Sequence, residues 1–181
     1  MSWPLGTSAD LAWIAQGTTI EERIACAVPA VFDAYATVML PEDHEQTRHD
    51  HAILSVLRAH SGGQPWWLGY LDTGADDVVF PDAPRVSLYA HWPYVLVRAG
   101  PAQAATWRRW DYGSFWFGHL PNLMFPADRS WLVSTLWGDD WTCVGGTTAL
   151  VDSLLGHGIL RERSRRVAPG QDATPPVQRA I

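Results

Sequence analysis

The chain has 181 residues, 47% of them hydrophobic and 18% charged, with a formal net charge of −6; that size and balance suit one globular domain with a buried core and exclude a wholly disordered chain. No apolar run approaches the roughly 20 residues of a membrane-spanning helix. The opening MSWPLGTSADLAWIAQG has no basic stretch ahead of a long apolar core, so the expected location is cytoplasmic.

All thirteen basic residues are arginine, and five of them (161, 163, 165, 166 and 179) face only Glu162 and Asp172 in 161–181, so the tail carries +3 and the first 160 residues −9. A body of that sign repels nucleic acid, whose binding is dominated by cation contacts to phosphate, and favours a basic protein partner.

The first predicted helix runs through TTIEERIACAVPAVFDAYATV. Thr18 or Thr19 offers an N-cap with Glu21 or Glu22 three residues on, and Ile20, Ile24, Val28, Val31, Phe32 and Tyr35 recur at helical spacing. Pro29 has no amide hydrogen and must kink this helix or begin its second half. A second helix is expected from about Pro41 to His60, burying Ile53, Leu54 and Leu57 before SGG stops it. Within it His44 and His51 share a face while His49 and His51 do not, so no metal-binding pair is formed. Glu45 and His49 are expected to form a helix-surface pair.

From residue 66 the pattern changes to short β-rich runs between Gly, Pro and Asp clusters: WWLGYL, DVVF, RVSLYA, YVLVRA, SWLVSTLW and WTCVG. PAQAATWRRW interrupts them with a helix opened by Pro101. TTALVDSLL predicts a last helix, with Leu150, Val151, Leu154 and Leu155 on one face and Gly156 or Gly158 at its end. The predicted fold is α+β, an antiparallel meandering sheet packed by N-terminal helices and a short C-terminal helix, in one domain over 1–160. Residues 161–181 are poor in large apolar side chains and are expected to be a disordered basic tail. Cys26 and Cys143 are too few for a disulfide framework and are expected to be reduced and packed.

Two segments stand out as binding candidates. In WLVSTLWGDDWTCVGG a three-residue loop of Gly138, Asp139 and Asp140 would set Trp137 opposite Trp141 and Thr135 opposite Cys143, leaving two acids at a hairpin tip. In WRRWDYGSFWFGHLP the crowding of Trp107, Trp110, Tyr112 and Trp116 beside Arg108 and Arg109 cannot all face one core, so part of it is expected to be exposed and to contact a protein. Trp66 and Trp67, adjacent on a strand, point to opposite faces and call for a sheet covered on both sides or for one contact residue.

LDTGADD, residues 71–77, admits two readings. Asp72, Thr73, Gly74 and Ala75, with SGGQ upstream and CVGG at 143–146, resemble the active-site motif of retropepsins. That resemblance implies a homodimeric aspartic peptidase in which Asp72 shares a proton with its twin. The other reading is a glycine-containing turn between the strands WWLGYL and DVVF. A second resemblance is carried by Leu40, Pro41, Asp43, Gly62 and Gly63, which are similar to the opening motif of the SUKH superfamily of small α+β proteins, many of them immunity proteins that bind a toxin. It implies a non-catalytic protein-binding module with no cofactor and no metal. The binding residues expected on that reading are Trp107, Arg108, Trp110, Tyr112, Trp116, Asp139 and Asp140.

Overall fold

In the computed structural model, residues 2–20, 23–75, 78–108 and 120–174 are described. Eight strands form one antiparallel sheet: β1 Ala34–Met39, β2 Trp66–Leu71, β3 Val86–Leu88, β4 Trp92–Ala99, β5 Leu123–Pro126, β6 Leu132–Ser134, β7 Trp141–Gly146 and β8 Ser164–Val167. Their spatial order is β3-β4-β2-β5-β6-β7-β1-β8. Among the described residues four α-helices accompany it, α1 Ser8–Gly17, α2 Gln46–Ala59, α3 Pro101–Thr106 and α4 Thr148–Gly156, which makes the α+β class a property of the structure.

Strand alternation sorts side chains between two cores. Ala34, Ala36 and Val38 of β1, Trp66, Leu68 and Tyr70 of β2, and Trp131 and Val133 at β6 pack beneath α2, α3 and α4. Tyr35, Leu71, Leu123, Phe125, Leu132 and Cys143 point the other way, toward Leu11 and Ile14 of α1 and toward Ile24 and Val28. Helices therefore cover both faces, which answers the Trp66–Trp67 question. Trp66 is fully buried in one core, while Trp67 lies over Phe125 in the other, ring centroids 6.5 Å apart.

Local chemistry explains most boundaries. At α1, Asp10 accepts hydrogen bonds from the Thr7 amide at 2.8 Å and the Thr7 hydroxyl at 3.2 Å, a cap spelled TSAD that the sequence reading passed over. Thr147 Oγ1 accepts from the Leu150 amide at 3.1 Å to open α4, and Pro101 occupies the first turn of α3. Cys26 and Cys143 are free thiols, Cys143 fully enclosed.

The helix expected over 18–38 is a correction. Among the described residues of this segment the helical structure is a 3-10 turn at Ile24–Cys26. Beyond Pro29 the chain enters β1, and Ile20 and Val31, expected on a buried face, are exposed. Alternation of Tyr35 against Ala34, Ala36 and Val38 is a period of two, which tertiary pairing selected over the helical period in the same residues. The second helix starts at Gln46, later than Pro41, after a 3-10 turn at Asp43–Glu45. No strand forms at Val78–Phe80.

The hairpin register differs by one residue from the expected one. Ser134 faces Cys143 and Val133 faces Val144, which brings Thr135 Oγ1 to 2.7 Å from Thr142 Oγ1. The Asp139 amide closes the loop onto the Leu136 carbonyl at 3.2 Å, with Gly138 at φ 86°. The loop thus begins one residue earlier than Gly138-Asp139-Asp140 counting allows, and Trp137 leaves the ladder for solvent.

The expectation of disorder in 161–181 is corrected over residues 161–174. β8 pairs with β1 from Tyr35↔Val167 to Val38↔Ser164, Val167 and Ala173 are buried, and residues 175–181 lie outside the described residues. Arg163 pairs with Glu45 and Arg166 with Asp152, while Arg165 Nη2 donates to the Asp172 carbonyl at 2.9 Å and the Thr174 carbonyl at 2.6 Å. The acidic body holds its own basic tail. Ending the chain at Leu160 would strip a ladder from β1, and thermal unfolding should show a fall of at least about 5 °C, the equivalent of ~1–2 kcal/mol at this size; an unchanged midpoint would mean that β8 adds nothing.

Candidate functional site

A cavity of about 640 Å³ opens between the first half of α2 and the sheet, within the few hundred to about 1,000 Å³ typical of small-molecule sites. Its apolar floor is Ile53, Met124 and Val133, and its mouth is the β6–β7 loop with Leu136, Trp137, Gly138, Asp139 and Asp140. One wall is polar. Gln46, His49 and Asp50 of α2 lie at positions i, i+3 and i+4 and so share the face that continues into Ile53. They stand where a core-facing helix would ordinarily carry apolar residues.

This wall is buried and incompletely bonded. Gln46 and His49 are 5% and 2% exposed. Gln46 Nε2 donates to Asp50 Oδ1 at 2.7 Å, but Gln46 Oε1 and His49 Nδ1 have no hydrogen-bond partner among the described residues. Burial pushes the His49 imidazole down to about 4, so it is neutral at pH 7. The expected Glu45–His49 surface pair does not form: His49 is interior and Glu45 turns to Arg163. His44 and His51 are exposed.

The opposite wall is organised by Arg108. Its Nη2 donates to Asn122 Oδ1 at 2.8 Å and its Nη1 to the Leu120 carbonyl at 3.3 Å, and its guanidinium carbon lies 5.2 Å from the centre of the Tyr70 ring. Asn122 Oδ1 also accepts from the Leu71 amide at 3.0 Å. Arg108, expected at an exposed contact patch, is therefore 6% exposed and part of the interior. Trp107 is likewise half-buried, edge-on to Trp3 at 5.0 Å and Phe80 at 5.2 Å. Trp110, Tyr112 and Trp116 lie outside the described residues.

Asp139 and Asp140 are where the sequence put them, at the hairpin tip, and the structure brings them to the cavity mouth. Asp140 is exposed and Asp139 half-buried. Burial first, and the Asp140 carboxylate second, push the Asp139 carboxyl up to about 6. Trp137, which no sequence signal separated from the other aromatics, is 60% exposed beside them and braced edge-to-face by Trp92 at 6.1 Å. Among the described residues no group of three or more His, Cys, Asp or Glu side chains is placed to hold a metal ion.

Asp72 is elsewhere, at the end of β2. Its Oδ1 accepts from the Gly74 amide at 3.0 Å and its Oδ2 from Arg85 Nε at 2.8 Å, with Gly74 at φ 82°. The Arg85 hydrogen bond, then the Gly74 amide, hold the carboxyl below its usual range. A shared-proton dyad needs the reverse shift on one of its carboxyls. Nor does LDTGADD turn directly into a partner strand: β3 comes next, and it pairs with β4. Comparison with protein-family models, curated proteins and solved structures found no match.

Two predictions come from these environments. His49 titrates lower in the folded chain than its ordinary 6.5, so the unfolded chain takes up the proton first and stability is lost as pH falls from about 6.5 to about 4. Asp139 titrates higher when folded, at about 6 against 3.8, so its contribution has the opposite sign and stability is lost as pH rises through that interval. Replacing Asp139→Asn should leave His49 unopposed: in urea unfolding the variant should be more stable than wild type at pH 7.5, by about 1 kcal/mol after allowing for solvent screening of a half-exposed group, and equal to it near pH 4. Separately, Asp72→Asn keeps the Gly74 bond and loses the ionic one with Arg85. A cost of about 0.5–1 kcal/mol in thermal or urea unfolding is expected for such a surface pair.

Proposed function

We propose that the chain is a non-catalytic protein-binding module of the immunity-protein kind, and that its contact surface is the β6–β7 tip around the cavity mouth. The observation that carries this reading is Trp137, a large aromatic held exposed on a closed turn, with Asp139 and Asp140 following it across Gly138 and Trp92 behind it. Tryptophan concentrates binding energy at protein interfaces, and neighbouring acids raise the rate of encounter with a basic partner and discriminate against acidic ones. The −9 balance of the first 160 residues acts in the same direction. Arg163 and Arg166, engaged with Glu45 and Asp152, are not offered to phosphate, so nucleic acid is not the partner on this reading. With no helix of the described residues long and apolar enough to cross a membrane, a membrane is not the partner either.

The test is capture from lysate of the source cells on immobilised wild-type protein, with bound proteins identified and their affinity measured after purification. A basic protein should be retained, bind more weakly as salt rises, and lose roughly 30-fold or more in affinity to Trp137→Ala, the scale of a hot-spot residue. Retention of nucleic acid, or of a partner indifferent to Trp137→Ala and to Asp140→Asn, would refute the proposal.

A further inference from the structure

We infer that the cavity between α2 and the sheet binds a small neutral molecule, an apolar body that carries an uncharged carboxamide. The site is made by the α2 wall and the floor, and nothing in it requires the β6–β7 tip to bind a protein.

Size and floor set the body of the ligand. About 640 Å³ above Ile53, Met124 and Val133, all three members of the core beneath α2, takes an apolar or aromatic group of small-molecule dimensions. The polar wall sets its head. Gln46 and His49 lie one helical turn apart on α2, both line the cavity, and both are more than nine-tenths buried. Gln46 Nε2 donates to Asp50 Oδ1 at 2.7 Å, which orients the amide with its oxygen left to accept. Neither Gln46 Oε1 nor His49 Nδ1 has a hydrogen-bond partner among the described residues. A buried polar atom left unmet costs the desolvation of its group, and such atoms are few in folded proteins. Two of them on one helix face, at the wall of one cavity, mark a place for a ligand.

A primary carboxamide is the head group that answers both. Gln46 Oε1 only accepts, so it requires an N–H or O–H. His49 is neutral at pH 7, burial having lowered it to about 4, and its Nδ1 donates in one tautomer and accepts in the other. With two amide hydrogens and a carbonyl, a carboxamide meets Gln46 Oε1 together with either tautomer. A hydroxyl has one hydrogen and serves one tautomer only. A ketone or ester has none to give to Gln46. A charged head would leave water for two uncharged atoms, neither of them a counter-ion, at a cost well above that of a neutral amide.

Benzamide is a direct probe, a flat apolar ring bearing a primary carboxamide, and acetophenone replaces its amide nitrogen with a methyl group at nearly the same shape. Titrated into the full-length protein and followed by backbone amide shifts, benzamide should saturate with its largest shifts in residues 46–53. Its dissociation constant should lie about fivefold or more below that of acetophenone, the scale of one buried acceptor left unmet. Benzamidine and benzoate, the cationic and anionic counterparts, should bind more weakly than benzamide. Gln46→Leu should bring benzamide to the level of acetophenone while leaving acetophenone at least as tight as in the wild type, which loss of the fold would not do. Val133→Phe, which fills the floor, should weaken both, with circular dichroism and the unfolding midpoint showing that each variant is folded. If Gln46→Leu does not fold, the benzamide-to-acetophenone ratio on the wild type decides together with the shift map. Benzamide no tighter than acetophenone, the result if a bound water already fills both valences, overturns the inference. So does preference for either charged counterpart, or the lack of saturable shifts in residues 46–53, whatever Trp137→Ala does to partner capture.

Discussion

The guanidinium of Arg108 is a charge taken out of water, and the middle of the molecule is arranged around satisfying it. A buried cation is tolerated only when hydrogens find acceptors, and here Asn122 and the Leu120 carbonyl accept two of the five that the guanidinium carries. Because the same Asn122 oxygen accepts the Leu71 amide, one side chain ties the end of β2, the approach to β5 and Arg108, two residues beyond α3, into a single junction. Tyr70 completes it with a ring face. Arg108 and Asn122 line one side of the cavity, with Gln46, His49 and Asp50 of α2 on another.

Polar residues at core positions are the signature of the second wall, and this signature was present in the sequence. The face containing Ile53 and Leu57 was legible from helical spacing; stepping back along it by three, four and seven residues from Ile53 reaches Asp50, His49 and Gln46. Considered as a cluster of histidines the segment was uninformative, because the chemistry lies in which residues share the core-facing stripe. The sheet itself was legible for a simpler reason. Strands such as WWLGYL and YVLVRA, buried on both faces, are nearly continuous apolar runs bounded by turn residues. Segment 18–38 misled because Ile24, Val28 and Tyr35 recur at helical spacing, while β1 begins only at Ala34, where pairing with β7 and β8 selects the period of two. The hairpin register was misjudged for a related reason: the turn starts at Leu136, an apolar residue with no turn signal of its own, and only Gly138 at positive φ reveals the geometry.

Charge is distributed with more economy than its totals suggest. Part of the positive charge of the C-terminal segment is paired along the sheet edge, with Arg163 on Glu45 and Arg166 on Asp152, and β8 beside them covers what would otherwise be the open edge of β1. Edges are where sheets invite unwanted pairing. Asp139 and Asp140 of the β6–β7 tip lie at the cavity mouth, Asp140 exposed and Asp139 half-buried, so acidic charge faces outward there while basic charge is paired at the β8 edge.

The position of β1 has a consequence for how this molecule is made. Its residues, 34–39, are among the first third of the chain to be synthesised, yet both of its neighbours, 141–146 and 164–167, come from the last quarter. A nascent chain must therefore carry an unpaired, β-prone and largely apolar segment through most of translation before either partner exists. Contacts of such long sequence separation slow folding and lengthen the time during which strand edges are open to other chains. The last strand to emerge is the arginine-bearing one, so closure of the sheet is timed to the arrival of the C-terminal segment.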